Sequence, residues 1–218
     1  MSQALNDAIN AQDIDHLAKL LAAGEDPNAP LGPQNTYPPL QGAVGYLEAT
    51  PTRPGLSIDG VVLLLRYGAD PNACDLARTD FPILDAVERR QIEAVRLLLA
   101  AGADPNVKNI EGISPLYYCV QNKLYEMARL LLRCGATKTM DKWQDAGLNA
   151  LGLAAWRLDL EMVKLLLEYG ADPNARDLDD ATPLYHFSHH PVPDDPIAQE
   201  RFREICHLLG GELVPDEP

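Results

Sequence analysis

The chain has 218 residues, 46% of them hydrophobic, an apolar share ordinary for a folded domain. Its 18 Lys and Arg face 32 Asp and Glu, and the net charge of −14 repels phosphate backbones and favours a basic partner. No run approaches the ~18 apolar residues of a membrane helix, Met1 to Asp7 lack the regions of a secretory signal, and four cysteines without C-x-x-C pairing read as reduced thiols of a cytoplasmic protein.

From the N-terminus, helices are predicted around Ala4 to Ala8 and Ile14 to Leu21, ending at Gly24-Glu25-Asp26-Pro27-Asn28. The same closing phrase returns as Gly68-Ala69-Asp70-Pro71-Asn72, Gly102-Ala103-Asp104-Pro105-Asn106 and Gly170-Ala171-Asp172-Pro173-Asn174. A degraded copy stands at Gly135-Ala136-Thr137-Lys138-Thr139 and a remnant at Gly210-Gly211-Glu212. Successive first glycines are 44, 34, 33, 35 and 40 residues apart, the signature of a stacked repeat with two insertions. A leucine triplet precedes four of these glycines (Leu63 to Leu65, Leu97 to Leu99, Leu130 to Leu132, Leu165 to Leu167) and predicts a second helix buried on two sides. The glycine closes that helix in a left-handed conformation, and Asp-Pro-Asn turns the chain away.

About twenty residues before each triplet comes a helix-start signal: Ser114-Pro115-Leu116-Tyr117 and Thr182-Pro183-Leu184-Tyr185, with weaker forms at Pro38, Phe81 and Asn149. The side-chain oxygen accepts a free backbone N–H, and Pro fits the first helical position. At Phe81 the cap is expected from Asp80. Loops are predicted at Leu47 to Gly55 and at His190 to Pro196, with the last helix running from Glu200 to Leu209.

Helix, short loop, helix, glycine stop and Asx-Pro turn together resemble the ankyrin repeat, whose pattern is Thr-Pro-Leu-His, a leucine-rich second helix and Gly-Ala-Asp-x-Asn. The resemblance implies an all-α solenoid of about six helix-turn-helix repeats with β-turn-like connections. It implies one domain over residues 1–213, with repeats at about 1–28, 29–72, 73–106, 107–139, 140–174 and 175–213, followed by a frayed acidic tail at 214–218. It also implies a non-catalytic protein-binding module. Partners of such arrays dock on the turn tips and the exposed side of the first helices. Carried over in register, those places hold Gly45 and Tyr46, Glu88 and Arg89, Gln121 and Asn122, Trp156 and Arg157, and His189 and His190. The turn tips add Leu76, Ile110, Glu111, Ile113, Trp143, Asp145, Leu178 and Asp179. Both tryptophans thus fall in the fifth repeat, and exposed Trp and Arg are frequent interface anchors.

No serine-hydrolase elbow, phosphate loop or zinc-protease motif is present in the sequence. Cys119 and Cys206 lie at core positions and read as inert. His186, His189 and His190, near Asp194, Asp195 and His207, have a spacing able to hold a divalent ion, yet they read more simply as polar residues at a helix C-terminus, so neither metal nor cofactor is expected. Arg129, Arg133, Lys138 and Lys142 lack interleaved aromatics and read as a solvated face rather than a nucleic-acid site. The expected partner is a protein with a basic surface, bound by a monomer, with no nucleic acid or membrane involved. An acidic inhibitor or immunity-type protein blocking a basic enzyme such as a nuclease is the alternative, since residues 175–218 carry ten acidic residues and three arginines. A secreted effector and a metalloprotein on the histidine cluster are further alternatives.

Overall fold

The computed structural model describes residues 3–30, 37–45, 47, 57–74, 81–142, 144 and 147–211. Among these the regular elements are all helical, and they gather into two compact bodies, Met1–Ile110 and Glu111–Pro218. The N-terminal body holds α1 (Gln3–Ala11), α2 (Ile14–Ala22), α3 (Pro39–Gly45), α4 (Asp59–Arg66), α5 (Pro82–Glu88) and α6 (Ile92–Ala100). The C-terminal body holds α7 (Pro115–Gln121), α8 (Tyr125–Arg133), α9 (Ala150–Trp156), α10 (Leu160–Glu168), α11 (Pro183–Ser188) and α12 (Pro196–Leu208).

Each odd-numbered helix packs on the even-numbered helix that follows it, and odd-numbered helices also stack on one another: α1 on α3 on α5, and α7 on α9 on α11. These helices are too short to hold in isolation, so neighbouring repeats supply their stability. Their starts follow the chemistry of the sequence. Ser114, Asn149 and Thr182 accept the N–H groups of Tyr117, Gly152 and Tyr185 at 3.2, 2.7 and 3.2 Å. Phe81 is the N-cap of α5 and gives no side-chain bond, and Asp80 lies outside the described residues. At the other end Gly68 has φ +88, and no atom lies within 4 Å of an added Cβ, so backbone conformation rather than space demands glycine there.

The leucine triplets are only partly core. The central Leu64, Leu98, Leu131 and Leu166 are fully buried, as are Leu132 and Leu165, while Leu63, Leu65, Leu97, Leu99, Leu130 and Leu167 are half-buried. Three consecutive helical residues span too wide an arc for all to face packed neighbours. The last helix begins at Pro196 rather than Glu200, because Asp195 accepts the Ala198 N–H at 2.8 Å and Pro196 presets the first turn. The expected His190–Pro196 loop is shortened accordingly. Of the insertion expected at Leu47 to Gly55, only Leu47 is described, and it is buried.

The Asp-Pro-Asn turns also tie repeats together. Asn28 accepts the Asp70 N–H at 2.7 Å and donates to the Gly68 carbonyl at 3.0 Å. Asn72 repeats both bonds on Asp104 and Gly102 at the same distances. Within each turn the preceding Asp accepts the N–H of its own Asn at 2.9 Å.

Candidate functional site

The predicted binding residues divide between the two bodies. In the N-terminal body Glu88 and Arg89 are half-buried, and Arg89 Nε donates to Asp85 Oδ1 at 2.7 Å. A Cβ on Gly45 would lie 3.5 Å from Asp85 and 3.9 Å from Arg89, so these places of consecutive repeats do meet. Ile110 is 70% exposed. Tyr46 and Leu76 lie outside the described residues.

In the C-terminal body Glu111 is exposed and Ile113 half-buried, as are Gln121 and Asn122. Asn122 is engaged at home: its side-chain amide donates to the Tyr118 carbonyl at 3.0 Å. Arg89 and Asn122 thus each bond within their own repeat, at places that are half-buried. Trp143 and Asp145 lie outside the described residues. Leu178 is 60% exposed and its N–H donates to the Gly147 carbonyl at 3.2 Å, which joins the turn tips of the fifth and sixth repeats. Asp179 is exposed, and its N–H donates to Asp177 Oδ1 at 3.0 Å.

One group of predicted residues comes together. Arg157, the C-cap of α9, donates through Nη1 to the Gln121 carbonyl of the preceding repeat. Trp156 is 45% exposed, and its ring meets His190 edge-on with centroids 5.2 Å apart. His189 in turn lies 4.5 Å from the ring of Tyr185 and its Nδ1 sits 2.7 Å from the Tyr185 carbonyl. Tyr185 is a residue that sequence reasoning missed. It sits in the same motif position as Tyr117, yet Tyr117 is fully buried and Tyr185 is 56% exposed. α7 is covered by α9, whereas among the described residues no further odd-numbered helix covers α11. The only sequence signal was that Thr182 opens the last repeat.

The histidines do not form a metal cluster. His186 bonds through Nε2 to Asp177 Oδ2, His189 to the Tyr185 carbonyl, and His190 Nδ1 to the Pro191 carbonyl at 2.9 Å. Among the described residues no group of three His, Cys, Asp or Glu side chains is arranged to hold a metal ion. Asp195, expected near the cluster, is instead the cap of α12.

Gln144, also missed, is buried in the degraded repeat. Its Oε1 accepts the Ser114 N–H at 2.6 Å and its Nε2 donates to the Thr139 carbonyl at 3.1 Å. Asp141 takes the place of the missing Asn as acceptor, receiving the Asp172 N–H at 3.0 Å. Burial, with the Asp172 carboxylate adding to it, pushes the Asp141 carboxyl above its ordinary range, against the pull of the Asp172 N–H and of Lys142. Asp159 caps α10 through the Met162 N–H at 3.2 Å and also accepts the Tyr125 hydroxyl at 3.1 and 3.0 Å. Burial and the Asp159 carboxylate push the Tyr125 phenol up to about 12. These two residues line a polar cleft of about 410 Å³ with Lys123, Glu161, Lys164 and Arg201. A smaller cavity, about 80 Å³ between Ile9, Gln12, Leu17 and Ala43, is too small for more than a few waters.

None of the four cysteines is paired, and burial pushes the Cys119 thiol up, so it is a poor nucleophile. Arg129, Arg133, Lys138 and Lys142 are exposed, with Arg129 3.4 Å from Glu168. Among the described residues no helix is long and apolar enough to cross a membrane.

The family model for ankyrin repeats, three copies, matches residues 53–142 and 83–177, a continuous stretch over more than half of the chain. The chain belongs to the ankyrin-repeat family. The BTB/POZ domain and ankyrin repeat-containing protein BOP of Lupinus luteus is 38% identical over 76 residues, 35% of this chain and 16% of that protein. Regulatory protein NPR6 of Arabidopsis thaliana is 36% identical over the same length, again 16% of that protein. This ankyrin-repeat chain therefore matches only about a sixth of the length of these relatives. An ankyrin repeat domain from Acinetobacter baumannii AYE superposes with a TM-score of 0.75 at 26% identity, covering 96% of this chain and 99% of that one. A second ankyrin repeat protein, at 24% identity and TM-score 0.72, shares the fold over 96% of this chain and 98% of its own. Ankyrin repeats indicate a protein–protein interaction module and are typically non-catalytic.

Proposed function

We propose that the chain is a non-catalytic cytoplasmic docking protein that captures a partner with a basic surface, using the first-helix and turn face of its C-terminal repeats. The observation that carries this reading is Trp156, a large aromatic left 45% exposed beside Arg157. Arg157 is itself braced on the Gln121 carbonyl, so little ordering remains to be done when a partner arrives. The charge of −14 favours a basic partner and steers its approach. Four unpaired cysteines agree with a reducing compartment.

Affinity capture from the source cell, followed by mass spectrometry at low and high salt, tests the proposal. Trp156→Ala is expected to weaken capture by about 2 kcal/mol, roughly thirtyfold, with Arg157→Ala weaker in the same direction. Capture unchanged by both substitutions refutes the anchor. A second reading is favoured by the concentration of acid in the last repeat, ten acidic residues against three arginines over 175–218: the partner is a basic enzyme whose activity is blocked. Purified captured partner assayed with and without this chain separates blocking from simple docking.

A further inference from the structure

Tyr185, His189, His190 and Trp156 place four rings in contact pairs on one body, with both large aromatics about half exposed. Buried aromatics of this size normally supply core; left open, they offer faces that attract cations. The sequence around them is acidic. Between Ala175 and Gln199 stand Asp177, Asp179, Asp180, Asp194 and Asp195 against Arg176 alone, five negative charges and one positive, a net of −4. Arg176 is engaged with Asp180 at 3.0 Å, which leaves that local charge balance negative rather than cancelling elsewhere.

We propose that the Trp156–His190 and Tyr185–His189 ring pairs dock a lysine- or arginine-bearing segment of a partner protein, and that protonation of His189 and His190 releases it. This rests on the docking function proposed above and adds the chemistry of the bound segment and its control. The His190 imidazole meets Trp156 edge-on, and the His189 imidazole lies tilted against Tyr185. Histidine is the side chain whose charge changes between pH 5 and 8. Two imidazolium charges beside these rings would stand where the partner's cations dock.

The neighbouring charges are compatible with this device. Next to Trp156 at the end of α9 stands Arg157, held on the Gln121 carbonyl. From the turn before α11 comes Asp177, which is bonded to His186. The segment leading into α12 brings Asp194 and Asp195. α12 itself meets α11 through Phe202 against Phe187, centroids 4.4 Å apart. Of the α12 charges, Glu204 pairs with Lys164 at 2.5 Å and Arg201 lines the cleft beside Tyr125, leaving Glu200, Arg203 and His207 exposed on that helix.

The test uses the full chain and a fluorescein-labelled peptide of alternating glycine and arginine, titrated by anisotropy at about 0.15 M ionic strength. Binding is expected to weaken about tenfold or more between about pH 7.5 and about pH 5.5. Trp156→Ala and Tyr185→Ala should each weaken it about fivefold at the higher pH. The double variant His189→Gln/His190→Gln removes two of the four rings, so it should bind more weakly than the parent at the higher pH and lose the acid-dependent fall; the Asn double variant and circular dichroism check that folding is kept. Binding indifferent to Trp156 and Tyr185, or an acid fall that persists in both double variants, overturns the proposal. If cellular capture still depends on Trp156 while the peptide or the histidines have no effect, docking stands and this inference falls. If neither capture nor peptide responds to Trp156, both fall.

Discussion

Asn72 decides whether the repeated turn is a local device or a joint between repeats. Its side chain accepts the Asp104 N–H at 2.7 Å and donates to the Gly102 carbonyl at 3.0 Å, so Asn72→Ala deletes two bonds to the next repeat. A neutral hydrogen bond is worth about 0.5–1.5 kcal/mol net, and the site is exposed enough for water to replace part of the loss, so the expected cost is about 1–2 kcal/mol. Asn72→Asp keeps the acceptor, loses the donor and sets a carboxylate against a carbonyl, and should cost at least half as much. Asn174 is the internal control. It ends the same motif and its N–H donates to Asp172 at 2.8 Å, but its side chain has no hydrogen-bond partner among the described residues. Asn174→Ala should therefore cost no more than about 0.5 kcal/mol, the ordinary range for a surface change. Denaturant unfolding followed by circular dichroism gives the energies, and amide exchange at Asp104 reports the lost bond directly. Equal costs at Asn72 and Asn174, with Asp104 exchange unchanged, would refute the joint and leave only turn propensity.

Tyr125→Phe should destabilise by about 1.5 kcal/mol, the lower end for a bond to a charged group at a half-buried site. The sign with pH follows from the phenol, pushed up to about 12 in the fold against an ordinary value near 10. Its contribution is present below about pH 10 and is lost as pH rises toward about 12, so alkaline titration of stability should lose that component in the Phe variant. Asp141→Asn should stabilise at neutral pH, because the fold holds this carboxyl above its ordinary range and so disfavours the ionised form. The advantage over the parent should shrink as pH falls through that raised value and vanish once both states are protonated, which thermal melts across acidic pH will show. Thr139→Val should raise stability by about 1 kcal/mol, since the Thr139 hydroxyl is buried without a hydrogen-bond partner among the described residues and a methyl of similar size removes its desolvation penalty; a melting temperature that falls would count against it.

Helix order, caps and stops were legible because they are written in residues that act on their own backbone. Ser114, Asn149 and Thr182 bond N–H groups three residues on, and Asp70 bonds one two residues on. Gln144, Asp141 and Tyr185 were not legible, because each has its role set by a different repeat. Gln144 acts on Ser114 across 30 residues and Asp141 on Asp172 across 31. Tyr185 shares the motif position of Tyr117 but is exposed where Tyr117 is buried. The same division explains the degraded copy. Losing Asp-Pro-Asn removes a joint, yet the chain supplies a substitute from outside the motif: Asp141 gives back the acceptor, and Gln144 secures the turn to the helix start at Ser114. The substitution is incomplete, with an ionisable group in place of a neutral amide and an orphaned hydroxyl at Thr139. A repeat that keeps its stacking while giving up the local signature has its connecting turn released from that sequence constraint, and the next helix in this repeat is the one that ends in Trp156 and Arg157.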